Sequence, residues 1–176
     1  IPERIKRQNL TQEEAYFATA RGNSHSCASE MTKWFNTNYH YIVPEINDNT
    51  EFKLSGSKIF DEFQEAGSTK ARPVIIGPVT YLTLACGEKA DDKQKYLSRL
   101  LPVYVEILEK LKSLGAEWVQ IDEPIFSVDL SPLQEQSFKQ AYEELAVAGA
   151  KVLLTNYFGE LGENLSLFFS LPVNGF

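Results

Sequence analysis

The sequence predicts an α/β protein built as a partial (β/α)8 TIM-type barrel, with about four to five parallel strands and intervening helices. Three observations lead there. Val74-Ile75-Ile76 and Val152-Leu153-Leu154 are short apolar runs of strand length, and Val119 and Ile121 alternate with Trp118 and Gln120 in a third, as expected for strands of a buried parallel sheet. Helical apolar periodicity fills the intervals, at strand-to-strand spacings of about forty residues, which indicates repeated βα units. The three runs end in polar residues at Thr80, Asp122-Glu123 and Asn156-Tyr157. Right-handed crossovers put all strand C-termini on one side, so these clusters share one rim, the ligand face of such a barrel. A closed barrel takes about 250 residues. With 176 residues, the chain forms one domain with a real core, a partial barrel over residues 1–176 with residues 1–20 as a polar, partly helical lead-in.

Composition narrows the function classes. The formal net charge is −7, from 24 acidic and 17 basic residues. That disfavours nucleic-acid binding, which calls for a basic stripe, but leaves room for a local basic site. Two cysteines, Cys27 and Cys86, are too few for a disulfide scaffold and suit a reducing cytoplasm. No run of about 18 apolar residues suggests a membrane span, and no secretory leader is recognisable. The first residue is Ile rather than Met, consistent with a piece of something longer.

The elements follow in order. Ile1 to Leu10 is polar and reads as an end without a fixed partner. Thr11 and Glu14 have capping-box spacing, which predicts a helix to about Ala20 with Tyr16 and Ala20 on one face. Arg21 to Ser29 is a loop of Gly, Asn and Ser. In Glu30 to Glu45, EMTKWFNTNYHYIVPE, the alternation Tyr39, Tyr41, Val43 argues a strand, led in by a polar loop or short helix. Asn47-Asp48-Asn49 is a turn, and Phe52 and Leu54 flank a short extended piece. Ser57 is a candidate cap for a helix to Ala66, with Ile59, Phe60 and Phe63 as its apolar face and Gly67 as its stop. Arg72 to Thr80 is a strand covered on both faces, closed by Gly77-Pro78 because proline cannot donate to the ladder. Asp91-Asp92 opens a helical run to Ser113, with Leu97, Leu100, Leu101, Tyr104, Ile107, Leu108 and Leu111 at helical spacing. Pro102 should kink or divide it, and Gly115 ends it. Glu117 to Pro124 is a strand with Val119 and Ile121 on one side and Trp118 and Gln120 on the other. Ser131-Pro132-Leu133-Gln134 is a strong helix start, with Phe138, Tyr142 and Leu145 as the buried stripe and Gly149 as the stop. Lys151 to Tyr157 is a strand, Leu165 to Ser170 a short helix, and Leu171 to Phe176 the beginning of another strand.

The chemistry is carried by few residues. Glu30 to Glu45 combines a cation, Lys33, with the amides Asn36 and Asn38 and several aromatic faces. That mixture suits a planar anionic ligand, and it equally fits an aromatic core strand with a solvated lead-in. Asp122 and Glu123, being consecutive at a strand end, point to opposite sides. They do not form a matched acid/base pair on one atom: one faces a ligand while the other holds neighbouring loops, or both belong to a solvated strand end. A barrel hydrolase using either would need a second carboxylate across the site, and Glu45 is the only candidate near a strand end. His25-Ser26-Cys27 invites a metal reading, but a zinc site needs three or four ligands and only Cys86 remains; the expectation is no metal.

The segments EMTKWFNTNYHYIVPE, RPVIIGPVTYL, GAEWVQIDEPI and KVLLTNYFG, in that order and spacing, resemble the N-terminal half of cobalamin-independent methionine synthase. The resemblance runs from about Ala20 to the end, and the first segment is what selects the N-terminal half. It implies part of an enzyme that moves a methyl group from 5-methyltetrahydropteroyltriglutamate to homocysteine to make methionine. It also implies zinc and homocysteine bound in a C-terminal barrel that these residues do not include, no cofactor in this chain, and an inactive polypeptide by itself. Lys33 matches a family lysine that binds the folate polyglutamate tail, as an ammonium suits carboxylates. Asn36, Asn38, Thr80, Asp122, Glu123 and Asn156 are further substrate-binding candidates. The alternative class is a non-catalytic structural or interaction module, a partial barrel completed by another chain. Its open strand edges predict self-association.

Overall fold

The computed structural model describes residues 1–67, 71–86 and 93–176. Its centre is a three-stranded parallel sheet in the order β3-β4-β5, from Val74–Ile76 (β3), Trp118–Asp122 (β4) and Lys151–Thr155 (β5). Val74 pairs with Gln120, and Ile76 with Asp122; Gln120 in turn pairs with Leu153, and Asp122 with Thr155. Among the described residues the parallel strands therefore number three, fewer than the four to five expected, and the sheet is not closed. A single parallel bridge from Leu153 to Gly175 adds the final segment beside β5, where the Leu154 N–H donates to the Gly175 carbonyl at 2.9 Å. The strand beginning read at the C-terminus is thus present as one bridge.

One face of this sheet is packed. Val119, Ile121, Val152 and Leu154 are all buried, pointing toward helices Pro78–Leu84 (α4), Leu97–Ser113 (α5) and Pro132–Ala146 (α6). Because side chains alternate along a strand, Trp118, Gln120, Asp122, Leu153 and Thr155 lie on the other face and are only half-buried. Val74 shares that face by register and is 49% exposed. The expectation that β3 is covered on both faces is corrected: it is the edge of the described sheet, and its uninterrupted β-branched run hid that asymmetry.

The helices follow their signals closely. In α5, Leu97, Leu100, Leu101, Tyr104, Leu108 and Leu111 are buried. Pro102 sits inside α5 without dividing it; the carbonyl of Ser98, four residues back, loses its partner, but both residues are exposed and water can serve. The predicted opening of this run at Asp91-Asp92 lies outside the described residues. Helix α6 starts on the expected capping box, with the Ser131 hydroxyl accepting from the Gln134 N–H and the Gln134 amide reaching back. Phe138, Tyr142 and Leu145 make its buried stripe. Leu165–Ser170 (α7) is helical as read. Lys58–Ala66 (α3) buries Phe60 and Phe63. Ser57, however, does not cap the α3 backbone; its hydroxyl hydrogen-bonds to Asp61 at 2.6 Å.

The N-terminal end is more ordered than its composition suggested. Glu3–Lys6 (α1) and Gln12–Arg21 (α2) pack together, with Ile5, Ala15 and Ala18 buried. The Thr11–Glu14 capping box is present, but the buried face is Ala15 and Ala18, and Tyr16 is 65% exposed. Arg4 forms an ion pair with Glu45 and hydrogen-bonds to Ser29 at 2.9 Å. Ile5, the Arg4–Glu45 ion pair and hydrogen bonds that join Arg4 and Gln8 to residues 23–29 hold this segment, and none of these has a local sequence signature.

Candidate functional site

The segment Glu30 to Glu45 folds as an antiparallel hairpin, Met31–Lys33 (β1) against His40–Ile42 (β2). Its first half is thus a strand as well, not the loop or short helix expected. The turn closes locally: the Trp34 N–H donates to the Tyr39 carbonyl at 2.7 Å, and the Thr37 hydroxyl donates to the Trp34 carbonyl at 2.7 Å. Directly opposed residues share a face, so the register sorts the hairpin into two sides. Thr32 and Tyr41 are half-buried together, with Trp34 packed on Tyr41 at 5.1 Å between ring centroids. Lys33 and His40 are opposed on the exposed side. Lys33 has no hydrogen bond or ion pair among the described residues. Asn38 is exposed at the turn. Asn36 is exposed, and its side-chain amide donates to the Phe158 carbonyl at 3.2 Å, beyond the end of β5.

At the C-terminal end of the sheet, Asp122 and Glu123 point to opposite sides, as consecutive strand residues should. Asp122 lies on the uncovered face. Its Oδ1 accepts from Gln120 Nε2 at 2.7 Å and from the Thr155 hydroxyl. Gln120 is in turn held by Arg72, which donates to its Oε1 at 2.7 Å. The Tyr157 phenol is pushed up to about 12, by burial first and then by the charge of Asp122 and hydrogen bonding to it; Trp34 acts in the opposite sense. No cation pairs with Asp122 among the described residues. The order Arg72, Gln120, Asp122, Thr155, Tyr157, Trp34 therefore joins the sheet face to the hairpin. Gln120, Thr155 and Arg72 were not singled out in the sequence. Only Gln120 had a local signal, lying two residues before Asp122 on the same strand; Thr155 stands opposite Asp122 through register between strands.

Glu123 is fully buried on the covered side. Its carboxylate accepts from the backbone N–H of Val79 at 3.2 Å and of Thr80 at 2.8 Å, with the Tyr142 hydroxyl at 3.4 Å. Gly77 is close because a Cβ there would collide with the Glu123 carboxyl group. Thr80 is also fully buried; its Oγ1 accepts from the Ile125 N–H at 3.4 Å. Gly77-Pro78 closes the strand as read, but it also opens α4, which that reading missed and for which Pro78 occupies the first helical position. Consequently Thr80 is inside α4 rather than on an open rim. Burial pushes the Glu123 carboxyl up to about 7, while the hydrogen bonds from Thr80, Val79 and Tyr142 oppose it.

The expected rim is therefore split. Asp122, Thr155 and Tyr157 meet beside the hairpin, whereas Thr80 and Glu123 meet behind the sheet. Asn156 donates to the Gly159 carbonyl at 3.2 Å, and its Oδ1 is buried without a partner. Glu45, the second carboxylate a hydrolase would need, is occupied by Arg4 and Ser29. Burial pushes its carboxyl up, but those hydrogen bonds and the Arg4 charge prevail and hold it low. His25 and Cys27 are exposed. Among the described residues, no three His, Cys, Asp or Glu side chains are grouped to hold a metal ion.

Comparison with known proteins identifies relatives across the whole chain. A family model described as the N-terminal domain of cobalamin-independent synthase matches residues 1–176. The 5-methyltetrahydropteroyltriglutamate–homocysteine methyltransferase of Nitrosomonas europaea is 50% identical over 167 residues, covering 92% of this chain and 22% of that protein. The protein of the same name from Coxiella burnetii is 46% identical over 182 residues, covering 99% of this chain and 24% of its own length. A third, from Neisseria meningitidis serogroup A, is 46% identical over 172 residues, covering 96% and 23%. The chain spans less than a quarter of the length of these relatives.

Proposed function

Because this chain belongs to the cobalamin-independent methionine synthase family and matches its N-terminal domain, we propose that it is a folate-binding part of the methyltransferase its relatives are named for. In this reading it holds the anionic tail of 5-methyltetrahydropteroyltriglutamate while methyl transfer to homocysteine takes place on zinc-dependent machinery outside residues 1–176. The chain by itself is then a binding unit without activity. Its three parallel strands are part of a (β/α)8 barrel, with the uncovered sheet face as part of that barrel's interior.

One observation carries the binding role. Lys33 stands on the exposed side of the hairpin without a protein carboxylate beside it among the described residues, next to His40. An ammonium with no internal partner is available to a glutamate tail, and a point charge on a flexible stem tolerates the tail's mobility. The opposite side of the same hairpin packs its aromatics against the Asp122 end of the sheet, which supports a fixed orientation for Lys33. Asp122, Thr155, Asn156 and Asn38 remain as secondary contacts for the rest of the donor. Thr80 and Glu123, both fully buried, hold α4 to β4 instead.

Titration of the chain with 5-methyltetrahydropteroyltriglutamate, wild type against Lys33→Ala, tests this. The expected result is about 2- to 10-fold weaker binding in the variant, the range for one exposed charge contact. Equal affinity would remove Lys33 from the site. Methyl transfer by the 176-residue chain alone, supplied with zinc and homocysteine, would overturn the division of labour.

A second reading is supported by the uncovered sheet face: a structural module completed by another chain. Val74 on the edge strand is 49% exposed, and an edge of unpaired backbone groups is a template for pairing.

A further inference from the structure

The junction between the hairpin and the loop after β5 has a feature that the binding reading does not need. Among the described residues, two non-glycine residues have left-handed backbone: Phe35 at φ 52° and Phe158 at φ 69°. For a bulky aromatic residue this conformation is disfavoured and persists where surroundings enforce it. The two lie on opposite sides of one contact. Phe35 is in the hairpin turn, and the side-chain amide of its neighbour Asn36 donates to the carbonyl of Phe158 itself. Both rings are braced edge-on by the residue before them, Phe35 by Trp34 at 5.2 Å and Phe158 by Tyr157 at 4.6 Å. Phe35 also packs on the main core.

The turn can be closed without this contact. The Trp34–Tyr39 and Thr37 hydrogen bonds already close it locally. A hairpin of three-residue strands is marginal alone, however; Phe35 packs its aromatic side on the core, and the Asn36 bond adds a tie at its tip. The Asn36 bond spans 122 positions of sequence and joins the tip to the segment that leaves β5 beside Asp122. We propose that Asn36 is a positioning residue: its bond to Phe158, with the paired left-handed backbone of Phe35 and Phe158, latches the hairpin so that Lys33 is presented to the folate tail. The proposal rests on the assignment of Lys33 to the glutamate tail. It also moves Asn36 from a substrate contact to a residue that acts through Lys33.

The test separates these two claims. Backbone hydrogen exchange reports the latch without any ligand. Asn36→Ala is expected to speed exchange of the Trp34 and Val43 amides, which are bonded within the hairpin, several-fold while leaving the Val119 and Leu154 amides of the sheet unchanged. Titration with the triglutamate and the monoglutamate then reports positioning. Asn36→Ala should weaken triglutamate binding about 2- to 10-fold, the effect of one hydrogen bond, and leave the monoglutamate unaffected. The double variant Lys33→Ala/Asn36→Ala should bind the triglutamate no worse than Lys33→Ala. Unchanged hairpin exchange in Asn36→Ala would overturn the latch. Additive losses in the double variant would also overturn it, because Asn36 would then touch the ligand directly. If the wild type does not bind the triglutamate, the folate reading fails, while the exchange result still decides whether the latch exists.

Discussion

At Glu123 a carboxylate sits wholly inside the protein, with two backbone N–H groups, a tyrosine hydroxyl and no cation facing it among the described residues. The other titratable groups near it are Tyr142 from α6, Tyr104 from α5 and its neighbour Asp122. Hydrogen bonds to the charged form offset part of the desolvation penalty but not all, so the group ionises at about 7 instead of its ordinary 4.5. Between those values the folded chain keeps a proton that the unfolded chain has released. The associated stability is complete below about 4.5 and is lost as pH rises through about 7. Glu123→Gln keeps a hydrogen-bonding side chain and removes the titration. Wild type should therefore lose stability relative to this variant by on the order of 2–3 kcal/mol between pH 5 and pH 8, measured by urea unfolding at both values. Carboxylates held low elsewhere, such as Glu45 and Asp48, act alike in both proteins and cancel. A difference that shrinks with pH would contradict this account. The sequence already separated the two acids, since strand alternation requires it. It could not say which faced outward, because that depends on where α4 runs, and Gly77-Pro78 was read as a strand end and not as a helix start.

Helix α4 is only seven residues long, too short to be stable unaided. It is bracketed by a buried acid and a buried base. Glu123 meets its N-terminal N–H groups, and the buried Lys93 ammonium donates to the carbonyls of Thr83, at 3.0 Å, and Ala85. That is the order the helix dipole favours, anion at the N-terminus and cation at the C-terminus. Gly77 makes the first bracket possible. Its φ of −70° is open to any residue, so what requires glycine is space, since a Cβ would meet the Glu123 carboxyl. Gly77→Ala is expected to destabilise the chain by about 1–3 kcal/mol through overpacking. In Gly77→Ala/Glu123→Ala the combined loss should be smaller than the sum, and strict additivity in chemical unfolding would argue against the contact. Helices with a periodic apolar stripe, α5 and α6 above all, were readable locally, and α6 carries a capping box besides. The hairpin was half readable: Tyr39, Tyr41 and Val43 alternate, but β1 has no apolar alternation and is recognised only through its partner.

The molecule as a whole presents one packed and one uncovered sheet face. The packed face was legible because buried strands and buried helix stripes are both apolar patterns. The uncovered face was not: Trp118, Gln120 and Thr155 look like the polar side of a solvated sheet, and the Arg72–Gln120–Asp122–Thr155 line depends on register between distant strands. The N-terminal segment was misjudged for a related reason. Ile5 and the Arg4–Glu45 ion pair are single long-range contacts that no window of sequence reports. With β3 unpaired on one side among the described residues and Val74 half exposed, self-association is expected. Light scattering should give a mass above 19.9 kDa that grows with concentration, whereas a monodisperse monomer would show that the edge is protected. Replacing Val74 with Lys, a charge on the edge strand, should shift the distribution toward monomer.

The central claim is that the exposed side of the hairpin recognises the glutamate tail of the folate donor. The most direct measurement is calorimetric titration of the wild-type chain with 5-methyltetrahydropteroyl mono-, di- and triglutamates at low and high salt. Affinity should rise with each added glutamate, and that rise should fade as salt screens it. Affinity independent of tail length, or a dependence on it that salt leaves untouched, would contradict the account.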